Sequence, residues 1–84
     1  MKMVEPTMSQ DKATRLSEIA TKYGDSILRT CFLYLNNMTL AEDALQDTLI
    51  RVYEKMDSFR QESSEKTWIT RIAINISKDY QKSK

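Results

Sequence analysis

Residues 41–80 read AEDALQDTLIRVYEKMDSFRQESSEKTWITRIAINISKDY, and this stretch decides the fold because it contains two amphipathic helical patterns separated by polar residues. In the first pattern the expected buried stripe is Leu45, Leu49, Val52 and Met56, with Ala41 and Thr48 beside it. In the second pattern the expected buried stripe is Ile69, Ile72, Ala73, Ile76 and Tyr80. The charges differ: residues 41–57 hold five acidic and two basic side chains, whereas residues 60–84 hold three acidic and six basic ones. Such segregation predicts two surfaces for two different partners.

A third helical pattern precedes these two. From about Asp11 one helical stripe contains Leu16, Ile19, Ala20, Tyr23, Ile27, Cys31 and Tyr34. The stripe passes through Gly24 without a change of register, so the sequence favours one long helix, with a break at Gly24 as the alternative. Asn36 and Asn37 can end this helix because asparagine tolerates the left-handed backbone conformation.

The helix ends complete the predicted fold. Thr39 and Glu42 have the spacing of a capping box, and Ser63 or Ser64 can cap the last helix. We therefore predict an all-α fold, a compact bundle of three to four helices at about 10–36, 39–56 and 64–82, with a polar loop at 57–63. Residues 1–9 are expected to be a flexible leader.

Composition excludes several classes of function. The chain has 84 residues, a net charge of +1, no histidine and one cysteine, Cys31, for which burial is the simplest expectation. The usual zinc and haem ligand sets are therefore missing, and no Gly-rich phosphate loop is present. No apolar run approaches membrane-spanning length. We expect a cytoplasmic protein that is not an enzyme and has no cofactor and no membrane contact.

The faces away from the predicted core carry the candidate sites. On the first helix of the pair, Asp43, Gln46, Asp47 and Ile50 share one face. An ordinary solvated face is one interpretation. The other is a contact with a basic helical partner, because an isoleucine flanked by carboxylates suits a polar-rimmed interface.

The last helix carries a basic stripe formed by Arg71, Asn75, Lys78 and Lys82. It is either a solvated face or a stripe that follows a nucleic-acid backbone. Trp68 lies at the border between this stripe and the core, where it has a structural role or supports a stacked base. The short polar side chains of residues 59–64 could form a pocket around one extruded base.

The order of the motifs Ala-Glu-Asp, Gln-Asp, Phe-Arg, Ser-Ser, Thr-Trp and Arg-Ile-Ala-x-Asn resembles region 2 of bacterial RNA polymerase sigma factors of the extracytoplasmic function (ECF) group. The preceding helix, with YGDSILRTCFLYLNN, fits the same pattern, so the resemblance covers about residues 10–82, and residues 10–84 would form the region 2 domain. The melting segment has fewer aromatic side chains than housekeeping sigma factors have, which favours the ECF group.

The resemblance implies two sets of site residues. The clamp helices of the polymerase β′ subunit would be contacted by Asp43, Gln46, Asp47, Ile50 and Arg51. The promoter −10 element, with one base flipped from the non-template strand, would be contacted by Phe59, Arg60, Ser63, Ser64, Lys66, Thr67, Trp68, Arg71, Asn75 and Lys78.

Family members continue into region 4, which this chain lacks, so we expect either an excised domain or a stand-alone region 2 that needs a separate region 4 subunit. The alternative function is a protein-interaction module that is bound by an anti-sigma factor or acts as a sigma-like co-regulator. A small helix-turn-helix binder of duplex DNA is disfavoured, because the chain lacks the short turn between two brief helices.

Overall fold

The computed structural model describes residues 8–59 and 63–82, with side chains described from Lys12 onward. It contains three α-helices, α1 (Met8–Leu35), α2 (Met38–Lys55) and α3 (Glu65–Lys82), and a short 3₁₀ helix (Met56–Ser58) after α2. Each α-helix packs against the other two, and the described residues include no strand. The predicted all-α bundle is therefore confirmed. Helix α1 begins two residues before its expected start, and residues 1–7 of the predicted leader lie outside the described part of the chain.

Helix α1 continues through Gly24, so the alternative of a break at this position is wrong. A Cβ atom added to Gly24 would meet nothing within 4 Å, which means that close packing does not require a glycine here. The hydrophobic stripe on both sides of Gly24 keeps α1 helical despite a cost of roughly 1 kcal/mol relative to alanine.

The turn between α1 and α2 consists of two asparagines with different conformations. Asn36 has a φ of 53°, and its N–H donates to the carbonyl of Phe32 at 2.7 Å, which ends α1 as expected. Asn37 is extended, and its side-chain oxygen accepts from the N–H of Leu40 at 2.9 Å. Asn37 is therefore the N-cap of α2, and the predicted capping box at Thr39 is wrong because α2 already begins at Met38.

The core lies where the three helices meet. Its buried apolar side chains are Ile19, Ile27, Cys31, Leu35, Ala41, Ala44, Val52, Ile69, Ala73 and Ile76. On α2 the fully buried residues are Ala41, Ala44, Thr48 and Val52, whereas Leu45, Leu49 and Met56 of the predicted stripe are only partly buried. Small side chains form the centre of the contact because α1 and α3 both pack closely against α2.

Three polar or weakly polar groups lie inside this core. Cys31, Thr48 and Ser77 are all 0% exposed, and the Thr48 hydroxyl donates to the carbonyl of Ala44 at 2.7 Å. Apart from its weak interaction with the Cys31 thiol, the Ser77 hydroxyl has no hydrogen-bond partner among the described residues. Burial raises the pKa of the Cys31 thiol, while the neighbouring hydroxyls of Ser77 and Thr48 oppose this rise. Cys31 is therefore a buried thiol, as expected.

Helix α3 is attached to α1 by polar contacts at both of its ends. At the N-terminal end the Glu65 carboxylate pairs with Arg15 at 3.0 Å and accepts from the Tyr23 hydroxyl at 3.3 Å. At the other end the Gln81 amide donates to the carbonyl of Tyr34 at 2.5 Å. These contacts show that α3 runs parallel to α1. Helix α2 follows α1 after a two-residue turn and runs antiparallel to both.

Candidate functional site

The outward face of α2 contains the five residues that the sequence assigns to polymerase binding. All five side chains are exposed: Asp43, Gln46, Asp47, Ile50 and Arg51. Ile50 lies toward the C-terminal end of this face and is 55% exposed. We call these five residues the α2 surface.

Ile50 forms a ridge between two grooves. The groove on the α1 side has a volume of about 460 Å³ and an apolar lining of Ala13, Leu16, Ser17, Ala20, Leu49, Ile50 and Tyr53. The groove on the α3 side has a volume of about 280 Å³ and a more polar lining of Asp47, Ile50, Arg51, Glu54, Ile76, Asp79 and Tyr80. The α2 surface is therefore continuous with an apolar depression on one side and a charged one on the other.

Asp47 is connected to α3 by a hydrogen bond that the sequence analysis did not find. The Tyr80 hydroxyl donates to the Asp47 carboxylate at 2.5 Å, and this bond is the main cause that raises the pKa of Tyr80 to about 12. The sequence placed Tyr80 on the buried stripe, but only its ring packs against the core. The only feature of the sequence that could have indicated this hydrogen bond is the amphipathic character of tyrosine. When a tyrosine ring lies at the edge of a buried stripe, its hydroxyl can reach a polar group outside the core.

Arg51 is the basic member of the α2 surface and forms an ion pair within its own helix. Its Nε atom lies 3.6 Å from the Glu54 carboxylate, and both side chains are at least half exposed. Pairs of this kind contribute about 0.2–0.5 kcal/mol to helix stability, so Arg51 is only weakly held.

The start of α3 has the cap that the sequence predicted, and Ser64 provides it. Its Oγ atom accepts from the N–H of Thr67 at 3.1 Å and donates to the Thr67 hydroxyl at 2.9 Å. The structure thus brings Ser64 and Thr67 together. Ser63 lies just before them and is half-buried, and the predicted DNA residue Arg60 lies outside the described residues.

An aromatic pair lies beside this cap. The rings of Phe59 and Trp68 are stacked, with centroids 4.6 Å apart and an interplanar angle of 21°. Both side chains are half-buried, so the stack keeps some aromatic surface accessible. The sequence singled out both residues but did not predict that they touch. Since Trp68 is nine positions after Phe59, their contact depends on the path of the loop.

The remaining predicted DNA residues are exposed along α3. Arg71, Asn75 and Lys78 lie at helical spacing on the face away from the buried Ile69, Ala73 and Ile76. Lys66 is also exposed but belongs to the first turn, away from that stripe. Within residues 8–59 and 63–82, no group of three or more His, Cys, Asp or Glu side chains could hold a metal ion. In that same part of the chain, no helix has the length and apolar character needed to cross a membrane.

Comparison with known proteins agrees with this arrangement. The family model for sigma-70 region 2 matches residues 19–84, which is most of the chain. The chain therefore belongs to the sigma-70 region 2 family, a family of transcription initiation factors that are not enzymes. More particularly, its curated relatives identify it as a region 2 domain of an ECF sigma factor.

Three of these relatives show the extent of the similarity. The ECF RNA polymerase sigma factor SigW of Bacillus subtilis is 38% identical over 63 residues, which are 75% of this chain and 34% of the relative. The ECF RNA polymerase sigma-E factor of Haemophilus influenzae and the RNA polymerase sigma-H factor of Pseudomonas aeruginosa are 30% and 31% identical over 78 residues. Each of those two alignments covers 93% of this chain and 40% of the relative. The chain thus spans well under half the length of these relatives. No solved structure matches it significantly.

Proposed function

We propose that residues 10–84 act in transcription initiation by joining core RNA polymerase to an opened promoter. In this proposal the α2 surface binds the clamp helices of the polymerase β′ subunit. The loop before α3 and the exposed stripe of α3 recognise the promoter −10 element and help to melt it through the non-template strand. The protein would act in the cytoplasm, where bacterial RNA polymerase works. The observation that carries the proposal is Ile50, which is 55% exposed and lies one helical turn after the exposed carboxylate of Asp47.

The chemistry of the α2 surface suits a basic helical partner. Burial of an isoleucine side chain contributes roughly 1.5–3 kcal/mol when it is complete, and Ile50 still has about half of its surface to bury. The carboxylates around it add less to affinity than to the rate and orientation of association. Lysines and arginines of the partner would therefore orient it on the α2 surface, and burial of Ile50 would provide much of the affinity.

The chemistry of the α3 side suits a single strand of DNA. Arg71 and Lys78 provide positive charge for phosphates, and Asn75 provides an amide that can bond a base edge. The exposed part of the Phe59–Trp68 stack offers an aromatic surface for an unstacked base. Melting would then be a trapping effect, since the contacts of the captured base offset the cost of taking it out of the duplex.

The polymerase half of the proposal is tested with Asp43→Lys and Asp47→Lys, each in a binding assay with purified core polymerase. The control is Asp25→Lys on α1, which makes the same change of charge at an exposed position away from the α2 surface. We expect about a hundredfold weaker binding or more for the two α2 variants, and wild-type affinity for the control. Unchanged binding by both α2 variants, with circular dichroism showing intact helices, would contradict the proposal.

The promoter half is tested through Trp68, the only tryptophan of the chain. Titration with single-stranded oligonucleotides should change its fluorescence more for non-template −10 sequences than for template-strand or duplex controls. The affinity should fall as salt rises, because phosphate contacts release counterions. A panel of −10 sequences that all leave the fluorescence unchanged would argue against direct recognition by these residues.

The second candidate is a protein-interaction module that an anti-sigma factor binds. The same exposed Ile50 supports it, because a surface that suits one helical partner also suits an inhibitor that mimics it. Parallel pull-down with core polymerase and with a candidate inhibitor separates the two functions. Retention by the inhibitor alone would favour the second function over the first.

A further inference from the structure

We infer that helix α1 contributes to promoter recognition without touching the DNA, because Arg15 and Tyr23 are positioning residues for the start of α3. Both hold the Glu65 carboxylate. Through Glu65 they fix the Ser64 cap and Trp68 in the arrangement that recognises the −10 strand. This inference rests on the proposed function and adds to it a contact that determines specificity from outside the proposed DNA surface.

The Glu65 carboxylate uses both of its oxygen atoms in this contact. Its Oε2 atom accepts from the Arg15 guanidinium at 3.0 Å, and its Oε1 atom accepts from the Tyr23 hydroxyl at 3.3 Å. Arg15 and Tyr23 are eight positions apart in α1, so they hold Glu65 from two places along that helix. Two points of attachment restrict the orientation of the start of α3 as well as its distance from α1.

The start of α3 depends on this contact because it is not packed closely against α1. A polar cavity of about 160 Å³ lies between them, and its lining residues are Arg15, Glu18, Ile19, Lys22, Tyr23 and Glu65. Lys66 and Thr67 are exposed, and Ile69 is the first residue of α3 that is buried in the core. Helix ends without close packing open easily. The polar contacts of Glu65 therefore do at this end what apolar packing does further along α3.

Glu65 lies between the residues that are proposed to recognise the strand. Ser64 precedes it and accepts from the N–H of Thr67 at 3.1 Å. The N–H of Trp68 donates to the Ser64 carbonyl at 3.0 Å, and the Trp68 ring stacks on Phe59. One turn of backbone thus joins Glu65 to the cap and to the aromatic stack. Without the Glu65 contact the incoming strand must itself order these groups, which lowers its affinity.

The test uses Glu65→Ala, for which charge and position predict opposite results. Loss of an acidic side chain near the proposed DNA surface would by itself strengthen the binding of a polyanion. Loss of the contact weakens it. We expect the affinity for a labelled non-template −10 single strand, measured by fluorescence anisotropy, to fall about fivefold.

The matched control is Glu18→Ala, which removes the same charge at the same cavity. Glu18 is exposed and forms no hydrogen bond or ion pair with the described residues. Its variant should bind the −10 strand within about twofold of the wild-type affinity. The emission of Trp68 in the free protein should change in Glu65→Ala and not in Glu18→Ala, since only the first variant releases the aromatic stack.

Further measurements separate positioning from a general loss of structure. In Glu65→Ala the preference for the −10 strand over a strand of scrambled sequence should fall, while helix content and affinity for core polymerase stay those of the wild type. Arg15→Ala should weaken binding of the −10 strand in the wild-type background. It should have no further effect in the Glu65→Ala background, because both changes remove one contact.

The outcomes separate this inference from the proposed function. Unchanged or tighter binding of the −10 strand by Glu65→Ala would overturn the positioning role and leave the proposed function standing. Weaker binding by Arg15→Ala in both backgrounds would also overturn it, because Arg15 would then contact a phosphate itself. If the wild-type chain prefers no non-template −10 strand over its scrambled control, the promoter half of the proposed function fails and this inference fails with it.

Discussion

Replacement of Ser77 by alanine should stabilise the protein, although Ser77 is a fully buried core residue. Its hydroxyl is 0% exposed and has no strong hydrogen-bond partner among the described residues, since its interaction is with the Cys31 thiol, which bonds only weakly. A buried polar group without a partner costs about 1–3 kcal/mol, and alanine is also a better helix former than serine by a few tenths. Loss of the oxygen atom's packing contacts and of its weak interaction with the Cys31 thiol offsets a part of this. We therefore expect Ser77→Ala to raise the free energy of unfolding by about 0.5–1.5 kcal/mol.

Urea unfolding monitored by far-UV circular dichroism measures this change, and the melting temperature should rise by about 4–8 °C per kcal/mol in a domain of this size. Thr48→Val is the companion variant of opposite sign. The Thr48 hydroxyl donates to the Ala44 carbonyl at 2.7 Å, so its loss should cost about 0.5–1.5 kcal/mol. A Ser77→Ala variant that is less stable than wild type would refute the reasoning, because it would mean that the Ser77 hydroxyl is bonded in the folded protein.

Three other predictions concern the helix ends and the edge of the α2 surface. Gly24→Ala should raise the free energy of unfolding by about 0.5–1 kcal/mol in urea denaturation, because a methyl group there meets no other atom. Asn37→Ala should lower it by about 1 kcal/mol, seen as a lower melting temperature, because the N–H of Leu40 loses its cap. If Asn37→Ala had the melting temperature of the wild type, Asn37 would not be the stabilising cap of α2. The folded-state pKa of Tyr80, raised from 10 to about 12, means that its stabilising effect is complete below pH 10 and is lost as pH rises through about 12. In an ultraviolet titration one tyrosine should therefore ionise last, and Tyr80→Phe should remove that step; a last step that persists would contradict the assignment.

The sequence was sufficient for the parts of the fold that depend on local patterns. The stripe of α1 continues on both sides of Gly24, and the Ser64 cap has the spacing that α3 requires, so both were predicted correctly. The start of α2 was not, because Thr39 and Asn37 are both good capping residues. Which of them caps depends on how tightly the chain turns, and the left-handed conformation of Asn36 made the turn two residues long.

The candidate sites show a similar limit. Periodicity placed Asp43, Gln46 and Ile50 correctly on one exposed face, because such a face follows from the helix alone. The sequence analysis predicted that the leucines of α2 lie at the centre of its buried face, but they are only partly buried. Large apolar residues dominate a periodic pattern, whereas close packing of three helices selects small ones such as Ala44. Contacts between helices, such as the bond from Tyr80 to Asp47, require the relative positions of the helices and were outside the reach of the pattern.

The Tyr80–Asp47 hydrogen bond also has a thermodynamic consequence. It joins the helix proposed to bind DNA directly to a carboxylate proposed to bind polymerase. A coupling free energy between two sites is reciprocal. If bound polymerase changes the affinity for promoter by some factor through this bond, bound promoter must change the affinity for polymerase by the same factor. For each protein, the effect of polymerase on promoter affinity and the effect of promoter on polymerase affinity should therefore give the same coupling free energy. The difference between the wild type and Tyr80→Phe is then the contribution of the Tyr80 hydroxyl.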